Sequence, residues 1–230
     1  MEYIMKLSEK TIEILKNFST VNAGFLFKPG KSFKTISRTK NIFAEYVSED
    51  EITSEFGIYD MNQFLTVISM FKSVDITHEE KFIKLVSQDG RNKLKYFCCD
   101  AETLILPPEK PVAMPETEIN FKLTKEDYDW IKKISSILAS TNIAVKSDGS
   151  KVSILVYDPK NDASSSNELD ICDGNGDVYN IVFKMETYTM YPGEYNVSIS
   201  SKGVSNFKHT ELDLQYWITS EPGLSTFTKG

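Results

Sequence analysis

Two hundred and thirty residues, 40% hydrophobic and 26% charged, make a chain long enough for two modest domains with a substantial core. That composition excludes disordered, collagen-like and coiled-coil classes, and no run approaches the roughly 18–20 apolar residues a membrane span needs. With 26 basic against 33 acidic residues the net charge is −7, which argues against an overall basic nucleic-acid-binding surface but leaves room for a local basic lining.

Met1–Lys6 has no apolar signal region behind a basic start, so a cytoplasmic protein is expected. Ser8 then stands as an N-cap before a helical pattern. On a wheel, Leu7, Thr11, Ile14, Leu15 and Phe18 share one face; Glu9, Glu13 and Lys16 lie opposite, with Lys10 and Asn17 to one side. Alternating or β-branched runs predict strands at Ala23–Lys28, Phe43–Val47, Lys81–Val86 and Lys93–Phe97, with turns at Pro29-Gly30 and Asp89-Gly90. Gly30-Lys31-Ser32 is no phosphate loop, because that motif needs glycine at position 25, which is Phe25. Asp60 caps a second helix, Met61–Phe71, whose outer residues Asn62, Gln63, Thr66 and Ser69 carry no charge.

Four prolines between Pro107 and Pro115 forbid helix interior and central strand. The chain therefore reads as domains at 1–105 and 117–230 joined by a stiff linker at 106–116. Dividing it after Lys110 gives net charges of −1 and −6. Beyond the linker, strands are predicted at Glu118–Leu123, Asn142–Val145, Lys151–Tyr157, Val178–Phe183, Tyr195–Ser200 and Leu212–Ile218, with further turns at Asp148-Gly149 and Pro192-Gly193. Asp158–Glu168 reads as an exposed connection, and Met185–Met190 as a short helical segment. The class is antiparallel α+β.

The second half restates the first. Phe121-Lys122-Leu123-Thr124 lies 116 residues after Met5-Lys6-Leu7-Ser8, and the helix that follows is expected to turn Trp130, Ile131, Ile134, Ile137 and Leu138 inward. Lys125, Asp129, Lys132, Lys133 and Ser136 face out, and Lys132 repeats the place of Lys16. Two domains of one design are the economical inference.

Catalytic and metal motifs do not assemble. Asp173–Asp177 begins like a calcium loop, but Val178 and Lys184 occupy the positions that need glycine and glutamate. His78 and His209 are far apart and no nucleophile-elbow pattern frames a serine or cysteine, so no enzyme, metal or cofactor is expected. Cys98, Cys99 and Cys172 are read as reduced thiols. One lysine-bearing helix reads as a solvated face; two favour a common positive lining that meets phosphates without reading sequence. With only Arg38 and Arg91 as arginines, base-specific recognition is not expected.

Several stretches, in order along nearly the whole chain, resemble the sliding clamps of T-even-type bacteriophages: Met5–Ser8 with Leu15–Phe18, Ala44-Glu45, Ile58–Leu65, the proline linker, Lys125-Glu126-Asp127 and Met190–Tyr195. The resemblance implies a PCNA-like clamp fold, a homotrimeric ring with sheets outside and helices around a DNA-sized hole, in the cytoplasm of an infected bacterium. It implies a processivity factor that encircles duplex DNA, with further partners in the polymerase C-terminal tail, an ATP-driven clamp loader and late-transcription factors. Matching the helices carries DNA contact to Lys10, Lys16, Lys125, Lys132 and Lys133, while Ser136 stands where relatives are basic. By clamp analogy Met114, Tyr216 and Trp217 are candidates for a partner pocket, with sheet packing as the second reading of Trp217. The family start aligns with Met5, leaving Met1–Ile4 as an extension or an upstream start. The competing class is an adaptor of the same fold that never encircles DNA.

Overall fold

The computed structural model describes residues 5–71, 73–161 and 163–230 and divides the chain into two compact units, Met1–Lys110 and Pro111–Gly230. The extension Met1–Ile4 lies outside the described residues. In the first unit α1 (Glu9–Val21) is followed by β1 (Phe25–Phe27), β2 (Gly30–Ile36), β3 (Ile42–Ile52), β4 (Phe56–Ile58), α2 (Met61–Ser69), β5 (Val74–His78), β6 (Phe82–Ser87) and β7 (Lys93–Phe97). In the second, β8 (Ile119–Leu123) leads into α3 (Lys125–Leu138), then β9 (Asn142–Asp148), β10 (Lys151–Tyr157), β11 (Asn167–Asp173), β12 (Val178–Lys184), β13 (Tyr195–Ile199), β14 (Val204–His209), β15 (Leu214–Thr219) and β16 (Thr226–Thr228).

Every pairing within a unit is antiparallel: β1 with β4, β2 with β3 and the order β5-β6-β7 in the first unit, β11-β10-β9-β12-β16 and β15-β14-β13-β8 in the second. Each run read as a strand falls on an observed one, and β2, β4, β5, β11, β14 and β16 are additional. β11 begins at Asn167, so it takes the end of the connection expected over Asp158–Glu168. The helical segment expected at Met185–Met190 is only a 3-10 turn, Met185–Thr187.

Glycine is required where chains touch. A Cβ on Gly57 would strike the Cys99 carbonyl, with which Gly57 bridges, and one on Gly193 would enter the His209 ring. The first interior is built on phenylalanine: Phe27 stacks on Phe56 at 4.5 Å and meets Phe33 and Phe64 edge-on. The second is built on tyrosine, with Tyr128 stacked on Tyr188 at 5.0 Å and Tyr195 beside Tyr128, His209 and Tyr216. These cores fix the helices whose outer faces carry the candidate site.

Candidate nucleic-acid interface

Ser8 starts α1 by accepting the Thr11 amide on its hydroxyl, which donates in turn to Asp50 at 2.8 Å. Thr11, Ile14, Leu15 and Phe18 turn into the core as expected, leaving Glu9, Lys10, Glu13 and Lys16 exposed. Lys10 Nζ pairs with Glu13 at 2.8 Å. Lys16 has no ion pair and no side-chain hydrogen bond among the described residues.

Thr124 starts α3 in the same way: it accepts the Asp127 amide at 3.1 Å and donates to the Asp127 carboxylate at 2.6 Å. The inward face of α3 differs from expectation. Tyr128, Ile131 and Ser135 are the buried residues, whereas Trp130 is 49% exposed and Ile137 68%. Polar groups made this rotation possible. The Tyr128 hydroxyl donates to the Met190 carbonyl at 2.5 Å, and Ser135 donates back to the Lys132 carbonyl, so neither is buried unsatisfied. Trp130 Nε1 instead donates to Asn167 at 3.1 Å.

The lysines of α3 fall into three environments. Lys125 pairs with Asp129 at 2.6 Å, and that hydrogen-bonded carboxylate raises its pKa. Lys132 donates to the Tyr188 carbonyl at 3.1 Å, and loss of hydration there lowers its pKa. Lys133 is exposed and, like Lys16, unpaired among the described residues. Beside Lys132 the short Met185–Thr187 turn leaves an open cleft of about 390 Å³ against α3.

The partner candidates are not equally reachable. Met114 is half-buried in the stretch without regular structure that precedes β8. Tyr216 is fully enclosed, its hydroxyl accepting the Tyr191 amide at 3.1 Å, so it supports β15 rather than offering a surface. Trp217 is also buried, which matches its packing reading. A groove of about 230 Å³ in the first unit, walled by Leu106–Glu109 on one side and Leu26 and Lys34 on the other, went unnoticed in the sequence. Its signal was the run Pro107-Pro108, which read only as a linker.

Cys98, Cys99 and Cys172 are all free thiols, and burial first, then Cys99, pushes the Cys98 thiol up to about 11. His209 braces the turn after β14, accepting the Glu211 and Leu212 amides on Nδ1 at 3.1 and 3.2 Å. Neither feature gathers an acid, base and nucleophile.

Two α+β units with capped, lysine-bearing helices are what the clamp resemblance implies, and similarity to known proteins defines the class as a clamp-fold protein. Residues 6–106 match the family described as DNA polymerase processivity factor, and residues 120–222 that described as gp45 sliding clamp, C terminal. Among relatives, the sliding clamp of Vibrio phage KVP40 is 32% identical over 224 residues, covering 94% of this chain and 99% of that protein. That of Enterobacteria phage T4 is 28% identical over 205 residues, covering 86% and 89%. The chain belongs to the phage sliding-clamp family of DNA polymerase processivity factors, whose members are scaffolds rather than enzymes. The fold extends further: the proliferating cellular nuclear antigen of Entamoeba histolytica superposes with a TM-score of 0.71 at 12% identity, covering 96% of this chain and all of that one. A PCNA2–PCNA3 complex from Sulfolobus tokodaii gives 0.69 at 14%, with the same coverage.

Proposed function

We propose that three copies of this chain close a ring around duplex DNA and hold the phage polymerase on its template, in the cytoplasm of the infected bacterium. The observation that carries the reading is the pair of capped helices whose exposed faces present Lys16 and Lys133 without a partner among the described residues, in a chain whose overall charge is −7. Mobile lysines on an otherwise acidic protein favour phosphate inside and repel it outside. They fix no register, so sliding costs little. Lys10, Lys125 and Lys132 join them as DNA-facing groups, each already engaged by the chain itself.

Closure needs two different surfaces on each copy, because a head-to-tail contact that repeats three times makes a ring. The sheet edges β7 and β11 suit it: each ends its sheet, and Phe97 at the end of β7 is 72% exposed. The polymerase tail is assigned to the neighbourhood of the proline-rich stretch, with Met114 as its reachable contact. Family resemblance extends the partners to an ATP-driven clamp loader and late-transcription factors. The test is native mass by light scattering over a wide concentration range. A species of ~78 kDa, three chains of 26.1 kDa, should grow in with concentration and accompany polymerase processivity. A monomer at every concentration overturns the ring and favours the adaptor.

A further inference from the structure

Resting on the reading that α1 and α3 face DNA, we infer that Glu13 and Asp129 restrain the clamp's grip. Each holds a first-turn lysine of its helix in an intrahelical ion pair, so the unoccupied face offers Lys16 and Lys133 and yields Lys10 and Lys125 only when a phosphate displaces the carboxylate.

The acids occupy equivalent places, 116 residues apart and five beyond the caps Ser8 and Thr124. The lysines they hold do not: Lys10 is the second residue of its helix and Lys125 the first. One pair therefore spans three residues, at 2.8 Å, and the other four, at 2.6 Å. The repeated element is the acid, and it captures whichever lysine lies a turn before it.

Helix stability accounts for this arrangement only weakly. A cation in the first turn opposes the helix dipole, and a lysine N-terminal to its acid is the weaker order of the two. All four side chains are about half exposed or more, where ion pairs are weak and open to exchange. The consequence is a nearly balanced face. Glu9, Lys10, Glu13 and Lys16 on α1 cancel, and Lys125, Glu126, Asp129, Lys132 and Lys133 on α3 sum to one positive charge. A weak but tunable contact is what a clamp that must slide requires, since each phosphate held firmly adds friction.

The test uses the full-length protein and a non-specific linear duplex, with affinity followed against salt and each variant checked for unchanged melting. Glu13→Gln with Asp129→Asn should tighten binding and steepen the log–log salt slope by about 0.9 for each lysine that reaches a phosphate. Lys10→Ala with Lys125→Ala should weaken wild type by a smaller factor than Lys16→Ala with Lys133→Ala, yet should erase the whole gain when added to the Glu13→Gln, Asp129→Asn double variant. The inference is overturned if Glu9→Gln with Glu126→Gln, which removes the same two charges, tightens binding as much, since that is a general charge effect, or if the Lys10 and Lys125 changes cost the same in both backgrounds. Unchanged binding with Lys16→Ala and Lys133→Ala instead removes the DNA-facing reading, and this inference with it.

Discussion

Tyr128 and Tyr188 stack in the second unit, but their hydroxyls have different surroundings. Tyr128 donates to the Met190 carbonyl at 2.5 Å and so ties α3 to the segment before β13, whereas the buried Tyr188 hydroxyl meets no protein partner among the described residues. Tyr128→Phe should therefore cost about 1–3 kcal/mol, because a buried carbonyl loses its donor. Tyr188→Phe removes a polar atom that gains no bond and should leave stability equal or slightly higher. Urea midpoints at constant m-value decide between them. Equal losses would mean that both hydroxyls are bonded. The same contrast governs the lysines: Lys132 repeats Lys16 in sequence, but the Tyr188 carbonyl beside it makes it a partly anchored group.

At the scale of elements, α3 shows which residues a helix actually commits to its core. Ile131 is buried and Trp130 half exposed, so Ile131→Ala should cost roughly 2–5 kcal/mol while Trp130→Ala costs well under half as much, despite the larger side chain. Thermal melts of the two variants give the answer, and a larger loss at Trp130 would put the inward face back where hydropathy alone puts it. The helix, its cap and its lysines were legible, because Thr124 and the 116-residue offset are visible in one dimension. Its rotation was not. Tyr128 and Ser135 look polar on a wheel, and only the Met190 and Lys132 carbonyls, the first distant in sequence, make their burial acceptable. Strands with two buried faces or clean alternation, such as β10 and β12, were readable. β11 was hidden because its outward residues Glu168 and Asp170 pair with Lys146 and Lys151 on other strands, which makes an edge strand look like an acidic loop. The neutral outer face of α2 was plain from composition, while the groove beneath Pro107-Pro108 needed the tertiary fold.

On the scale of the whole molecule, two units of one design have different interiors, and alkali should separate them. Burial raises the pKa of Tyr128, Tyr188 and Tyr195, reinforced by the Asp129 carboxylate at the first and by neighbouring phenols at the other two. It also raises that of Tyr216, against the opposing Tyr191 amide, and brings Tyr179 up to about 12. All five belong to the second unit, whereas the rings around Phe27 in the first do not titrate. A phenol whose folded pKa lies above its unfolded value of 10.0 contributes stability that is complete below that pH and is lost as pH rises towards the folded value. Lys132 acts in the opposite sense: its folded pKa is lowered, so the unfolded chain holds the proton longer and stability recovers as pH approaches 10.5. One such group stands against five buried phenols, so the second unit is expected to lose stability above pH 10, while the first unit, where burial raises only Cys98 and Tyr96, has fewer such groups to lose. Both tryptophans, Trp130 and Trp217, also lie there, which makes their emission a reporter of that unit alone. On raising the pH, tryptophan emission and tyrosinate absorbance should change together, ahead of the full loss of far-ultraviolet circular dichroism. Tyrosinate forming near pH 10 with emission unchanged would mean instead that the phenols reach solvent in the folded state, and that the tyrosine core is looser than its packing requires.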